Sequence, residues 1–333
     1  EKIYPEASSQ YTNDKEFNEH AKLINKQLNE NEKELIEKWD KIKKISVDSI
    51  KKVLEMLHHK FDIWNGESDV NNLIPDMLVN LKEEKKISVD KGAYVSNLDT
   101  DPKILITKSD GSYLYLTTDL ATVIKRRKDI KMDKTLYIVD KRQKLHFEQL
   151  FSSIEYFQLG GEEYIHVEFG TVNDARGNPF KTRDGDTKKL VDLFDETFSK
   201  IKKINKDLDD DTCKLLTNTV LTFSDLISNR MTDYKFDLDK FTNISGKTGI
   251  YVQYAFVRAN KLLENSSGSI KDVSLDFSLL DEVDLNLIKC LIKFEYIFKQ
   301  ALNSNEPHHL ADYLYELSNH FNSMYQSTNI LEN

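Results

Sequence analysis

TLYIVDKRQKLHFEQLFSSIEYFQLGGEEYIHVEF, residues 135 to 169, reads as strand, helix, strand. Thr135-Leu136-Tyr137-Ile138-Val139 is a nearly continuous apolar run, the pattern of a strand covered on both faces, as parallel strands are. A helix is predicted over 144–158, and Tyr164-Ile165-His166-Val167-Glu168-Phe169 supplies the second strand. Strands joined through a helix pair in parallel, with the helix packed on the sheet.

Outward from this unit, Ile104-Leu105-Ile106-Thr107 and Ser112-Tyr113-Leu114-Tyr115-Leu116 flank Ser109-Asp110-Gly111 and predict a hairpin. Thr117-Thr118 ends its second strand and caps a helix from Asp119 to about Lys128. Phe61 to Gly66 reads as a short strand entering a turn, and three helices are predicted upstream, over 14–28, 31–45 and 47–60. Beyond about 185 strand signals disappear. Helical periodicity covers 187–203, 211–230, 249–265, 282–304 and 308–326, with a polar loop over Asn265-Ser266-Ser267-Gly268-Ser269. In the last helix Leu310, Leu314, Leu317, Phe321 and Met324 form one apolar stripe behind Pro307. The fold class is therefore α/β, a parallel sheet followed by an all-α bundle, with domains at 1–190 and 191–333.

A chain of 333 residues has room for two cores, and 39% hydrophobic residues exclude a disordered chain. The net charge of -9 excludes nucleic-acid binding through overall basicity. Local patches remain: Lys125-Arg126-Arg127-Lys128, and the group Lys188, Lys189, Lys200, Lys202 and Lys203, each of which can equally be a solvated helix face. Cys213 and Cys290 have no metal-ligand spacing and are expected as reduced thiols of a cytosolic protein. His58-His59 and His308-His309 are set aside as metal ligands, because neighbouring histidines diverge on a helix and no carboxylate or Cys completes either set. No apolar run approaches the ~18 residues of a membrane span.

Ligands of parallel α/β sheets collect outside the carboxyl ends of the strands. Tyr115 and Asp119 flank such a strand-to-helix turn. An ionised Asp119 in a first helical turn, beside a phenol, suits a planar guanidinium, although a plain helix cap reads the same way. Gln143 can bond a substrate at the next strand end, and His146 lies one turn further on, where a packing role is the alternative. Phe169-Gly170-Thr171-Val172 leads to Phe180-Lys181-Thr182-Arg183-Asp184-Gly185, two cations and a hydroxyl on a loop that suits phosphates. Glu67 offers a carboxylate on the Gly66-Glu67-Ser68 turn.

In this order and spacing the blocks Trp64–Ser68, Tyr115–Asp119, Asp140–Phe147, Phe180–Gly185, Ser228-Asn229-Arg230, Asp233-Tyr234 and Thr248–Ala255 resemble the arginyl-tRNA synthetase family, over nearly the whole chain. The resemblance implies a partial, Rossmann-like class I catalytic domain, then a helical tRNA-stem and anticodon-binding bundle. It implies ATP-dependent joining of L-arginine to tRNA(Arg), with Mg2+ accompanying ATP, no zinc, and a monomeric cytoplasmic enzyme. Tyr115, Asp119, Gln143 and Glu67 match arginine contacts; His146, Gly170, Val172 and Lys181 match ATP contacts. Lys181, Thr182 and Arg183 match the second class I signature, and Gln253, Tyr254 and Arg258 match tRNA contacts. The His-x-Gly-His signature is absent from the eight histidines and is expected before Glu1; the chain is also expected to stop short of the complete bundle at Asn333. Citrulline or ornithine would leave a carboxylate built for arginine unpaired. The alternatives are a non-catalytic tRNA-binding relative without the ATP site, and an unrelated α/β nucleotide-binding protein with a helical appendage.

Overall fold

The computed structural model describes residues 3–29, 32–173, 189–265, 278 and 280–327. Packing divides the chain into two units, Phe61–Gly170 and a second made of Glu1–Lys60 with Thr171–Asn333.

Helices α1 (Ile3–Asn13), α2 (Lys15–Asn29) and α3 (Lys33–Met56) open the discontinuous unit. The two helices expected over 31–45 and 47–60 are one: neither Gly nor Pro interrupts the run, and Ser46 is carried inside it. The Glu32 side chain caps its start, accepting from the Leu35 amide at 2.9 Å.

Within Phe61–Gly170, the strand expected over 61–66 is absent. These residues are exposed, no neighbouring strand pairs with them, and the Phe61 and Trp64 rings meet edge to face at 5.8 Å. A 3-10 turn, Glu67–Leu73, runs into α4 (Ile74–Glu83), with Pro75 in its first turn where a missing N–H costs nothing. Strands β1 (Ile87–Asp90) and β2 (Ala93–Ser96) then form a hairpin that the sequence reading missed. Its two-residue turn, Lys91-Gly92, has φ of 49° and 83°, the left-handed pair that twists with the strands. The hairpin expected around Ser109-Asp110-Gly111 shrinks to a turn with one isolated bridge, Thr107 to Tyr113. Gly111 adopts φ 81° there.

Helix α5 (Tyr115–Asp129) starts four residues before the expected Asp119. The β-branched Thr117 and Thr118 read as strand, but their hydroxyls serve the helix start: Thr117 Oγ1 accepts from the Leu114 amide at 3.3 Å and donates to the buried Ile106 carbonyl. The deciding crossover is as read. Strand β3 (Lys134–Asp140), helix α6 (Lys144–Phe157) and strand β4 (Glu163–Phe169) follow, and the strands pair in parallel from Lys134–Glu163 to Asp140–Phe169. Ile74, Leu120 and Leu150, each 0% exposed, knit α4, α5 and α6 into one core.

The discontinuous unit resumes with β5 (Val172–Asn173), α7 (Leu190–Ile204) and α8 (Asp210–Leu226), then β6 (Tyr234–Lys235), α9 (Leu238–Phe241) and α10 (Gly249–Asn265). Strand β6 pairs in parallel with β5, so strand structure does not end at 185; two-residue strands carry too few residues to show a period. The expected helix 282–304 is two, α11 (Glu282–Ile292) and α12 (Phe294–Ser304), joined at Lys293. Helix α13 (His308–Ser327) buries Ala311, Tyr313, Ser318 and Asn322, while Leu314 of the expected stripe is 44% exposed. Helices α8, α10, α11 and α12 all pack on α13, so burial is spread over more than one of its faces. The polar loop after Asn265 lies outside the described residues. Among the described residues no helix is long and apolar enough to cross a membrane.

Candidate active site

The carboxyl end of β3 and the starts of α5 and α6 meet within Phe61–Gly170. His146, in the first turn of α6, places Nε2 2.8 Å from Asp119 Oδ2. Asp119 is the fifth residue of α5, not a member of its first turn as expected, so its charge is held by a side-chain partner rather than by the free amides of a helix start. Tyr115 lies one turn before it on the same face of α5 and is 72% exposed.

Glu67 enters from the 3-10 turn that packs on α5. Burial raises its carboxyl above the usual range, and the Asp119 charge raises it further. Burial likewise raises the Tyr137 phenol, again with a contribution from Asp119. One carboxylate therefore makes the field felt by both neighbours, and a cation placed there relieves repulsion instead of creating it. At the strand end the Arg142 guanidinium holds the Asp140 carboxyl below its usual range, donating from Nε to Oδ1 at 2.9 Å and from Nη2 to Oδ2 at 2.7 Å. Asp140 also accepts from the Arg142 amide at 2.8 Å, which shapes the turn carrying Gln143. Gln143 is exposed and makes no capping bond.

Glu67, Asp119 and His146 are thus brought together, with Tyr115 on the same helix face as Asp119. Gly170 follows the end of β4, and Val172 lies in β5 opposite Tyr234. Lys181, Thr182 and Arg183 lie outside the described residues. The Asp119–His146 bond was not foreseen; its one sequence signal was that both residues follow a strand-to-helix turn.

In the discontinuous unit, α8 and α10 border a cleft of about 290 Å³ lined by Thr219, Phe223, Gly249, Val252, Gln253 and Phe256. Gln253 Nε2 donates to Thr219 Oγ1 at 3.3 Å. Tyr254 and Arg258 lie elsewhere on α10: the guanidinium sits 4.1 Å from the Tyr254 ring centre and 4.7 Å from that of Tyr325, and it donates to Asn322 Oδ1 at 3.1 Å. Sequence reasoning missed both Tyr325 and Asn322. The expected basic patches are largely spent within the protein. Lys125 pairs with Asp129 at 2.9 Å, Arg126 lies over the Tyr137 ring, Arg127 donates to the Leu159 carbonyl at 2.7 Å, and Lys202 pairs with Asp210 at 2.9 Å.

The histidine pair His308-His309 also needs correction. The rings do not diverge but lie 4.1 Å apart, and His309 Nε2 is 3.2 Å from Glu306 Oε2, because the pair sits at the α13 start where the chain turns back on Glu306.

A crossover-linked parallel strand pair with a carboxylate site at its carboxyl edge, followed by a helical bundle, is the architecture of a class I tRNA synthetase with an anticodon-binding appendage. Residues 1–238 match the family described as tRNA synthetases class I (R), catalytic domain, and residues 252–333 match the DALR anticodon binding domain. The chain belongs to the class I (R) tRNA synthetase family. It is 38% identical to the arginine–tRNA ligase of Francisella tularensis subsp. tularensis over 97% of its own length and 58% of that protein's. The corresponding ligase of Agathobacter rectalis is 35% identical over 99% of the chain and 60% of the relative. The chain thus spans under two thirds of the relatives it matches. A crystal structure of arginyl-tRNA synthetase from Plasmodium falciparum superimposes with a TM-score of 0.80 at 26% identity, covering 95% of this chain and 57% of that one. The Thermus thermophilus enzyme shares the fold, with a TM-score of 0.71 at 19% identity over 84% of this chain and 54% of that one.

Proposed function

We propose that the protein is an ATP-dependent arginine–tRNA ligase and that the Phe61–Gly170 unit holds its arginine side chain. The observation that carries this reading is the convergence of Glu67 and Asp119 beside Tyr115, with His146 fixing Asp119 at 2.8 Å. A guanidinium presents a planar fork of donors, and a carboxylate is its geometric complement. Gln143, on the exposed turn after β3, contacts the amino-acid part of the substrate.

ATP, with its Mg2+ as part of the substrate, is met by Gly170, Val172, His146 and the loop bearing Lys181, Thr182 and Arg183. These residues rest on the family resemblance alone, with Lys181 and Arg183 countering the charge that develops as pyrophosphate leaves. The helical part from 191 onward carries tRNA(Arg), through Gln253 at the α8–α10 cleft and through the Tyr254–Arg258 pair. Two free, buried cysteines accord with a reduced cytoplasmic setting, and a single copy of the chain is taken as the working unit.

Titration of the chain with L-arginine, citrulline and ornithine tests the pocket. The expected order places arginine first by a wide margin, up to ~10⁴-fold, because the other two leave a carboxylate unpaired. Equal heats for arginine and citrulline would remove the guanidinium site.

A further inference from the structure

We propose that Cys290, Glu316 and His320 form a binding site for one zinc-type divalent metal ion, tying α11 to α13. The site is independent of the arginine pocket.

The thiol of Cys290, a carboxylate oxygen of Glu316 and a ring nitrogen of His320 all lie within 4.8 Å of one another. A tetrahedral ion with bonds of about 2.0 to 2.3 Å holds its donors roughly 3.3 to 3.7 Å apart. The required contraction is about 1 Å, within reach of side-chain rotation. Glu316 and His320 are four residues apart on one face of α13, the spacing at which two helical side chains share a ligand. Cys290 comes from the facing helix and is 1% exposed. The side chains of Glu316 and His320 are 46% and 33% exposed, so the ion has an entry path and a fourth position open to water.

The donor set selects the ion. One thiolate, one imidazole and one carboxylate favour zinc or cobalt over magnesium or calcium, which prefer all-oxygen shells. Among the described residues neither ring nitrogen of His320 has a hydrogen-bond partner, and its Nε2 lies 3.8 Å from Glu316 Oε1. The Lys293 ammonium, 3.1 Å from the same Oε1, marks the place where positive charge is wanted. It is the residue between α11 and α12, its side chain is 54% exposed, and it swings into water when an ion arrives. On binding, the Cys290 proton leaves to solvent and the sulfur–metal bond replaces the S–H bond.

The other such cluster among the described residues, Glu306, His308 and His309, is a poorer cation site. It lies at the α13 start, where the helix dipole is positive, and it offers no thiolate.

Cobalt reads the proposal, because a thiolate–cobalt bond absorbs in the near ultraviolet and neither magnesium-type sites nor histidine alone produce that band. One equivalent of Co2+ added to the metal-free chain is expected to produce the band, and Zn2+ to abolish it. C290S is expected to lose the band with arginine binding intact. H320Q, at a partly exposed position, is expected to weaken Co2+ binding by roughly 100-fold, the loss of one of three protein donors. Absence of the band at one equivalent, its survival in C290S, or an unchanged Co2+ affinity in H320Q would overturn the site. Should C290S fail to fold, the H320Q titration decides alone.

Discussion

His146 Nε2 lies 2.8 Å from Asp119 Oδ2, so the first turn of α6 holds the second turn of α5. The bond fixes which way the Asp119 carboxylate faces, and on the proposed reading its second oxygen meets the guanidinium. On the proposed reading His146 thereby positions Asp119 for arginine, in addition to the ATP contact that the family resemblance gives it. H146A is expected to weaken arginine binding about 10- to 100-fold, the value of a hydrogen bond to a charged group. H146Q, which retains a donor, is expected to recover part of the loss. Calorimetry on variants with unchanged circular dichroism checks both, and undiminished affinity in H146A would assign the histidine to packing alone.

Glu67 supplies the pH dependence. Its carboxyl is raised by burial and then by the Asp119 charge, and a bound guanidinium favours the ionised form. Arginine affinity is therefore expected to fall as pH drops through the raised Glu67 value, with proton release on binding at and below that value, where the free carboxyl is still protonated. E67Q is expected to flatten that limb of the profile. For the free protein the sign is opposite. The folded state holds this proton more tightly than the unfolded chain, so the stability it contributes is present below the unfolded value and is lost as pH rises through the folded one.

The α8–α10 contact depends on Gly249. A Cβ there would lie 2.7 Å from the Thr219 carbonyl oxygen and 2.9 Å from Phe223 Cβ, so a helix backbone must move. G249A is expected to cost about 1 to 3 kcal/mol in urea unfolding and to distort the cleft beside Gln253. At Gly66 a Cβ meets nothing within 4 Å, so G66A is expected to stay within ~0.5 kcal/mol of the parent.

Arg258 is held between Tyr254 and Tyr325, its guanidinium directed at Asn322, so on the proposed tRNA-binding reading its part is to fix the Tyr254 ring. Tyr254 is 48% exposed and can stack on an unpaired base. Y254A is expected to retain the fold and lower tRNA affinity about tenfold, a stacking contribution of roughly 1 to 3 kcal/mol. R258A is expected to match it and also to lower stability by about 1 kcal/mol, since two cation–π contacts are lost. Filter binding and thermal unfolding separate the two effects.

What was readable in the sequence follows from which signals are local. The 135–169 crossover was read almost to the residue because a continuous apolar strand beside a helical period is a pattern of the segment itself. Helix α10 was read at 249–265 for the same reason. Thr117 and Thr118 misled, since β-branched residues favour strands and only the buried Ile106 carbonyl, eleven residues away, turns Thr117 into part of a helix start. The α13 stripe misled because a helix packed on several sides buries residues off any single apolar face, here Ala311, Tyr313, Ser318 and Asn322. At the site, Tyr115 and Asp119 were legible as a pair flanking a turn, but not as residues one turn apart on a single helix. The pairings Asp119 with His146, and Cys290 with His320, join residues 27 and 30 positions apart and come only from tertiary packing.

Asp119→Asn keeps the size of the side chain and removes its charge, so it isolates the proposed guanidinium partner. Calorimetric titration of L-arginine into the parent chain and into D119N is expected to give saturable binding in the first and a loss of roughly 10- to 100-fold in the second, the value of a hydrogen bond to a charged group at a half-buried position. Equal arginine affinity in the two proteins would contradict the Asp119 site, and with it the assignment of the Phe61–Gly170 unit as the arginine-holding part.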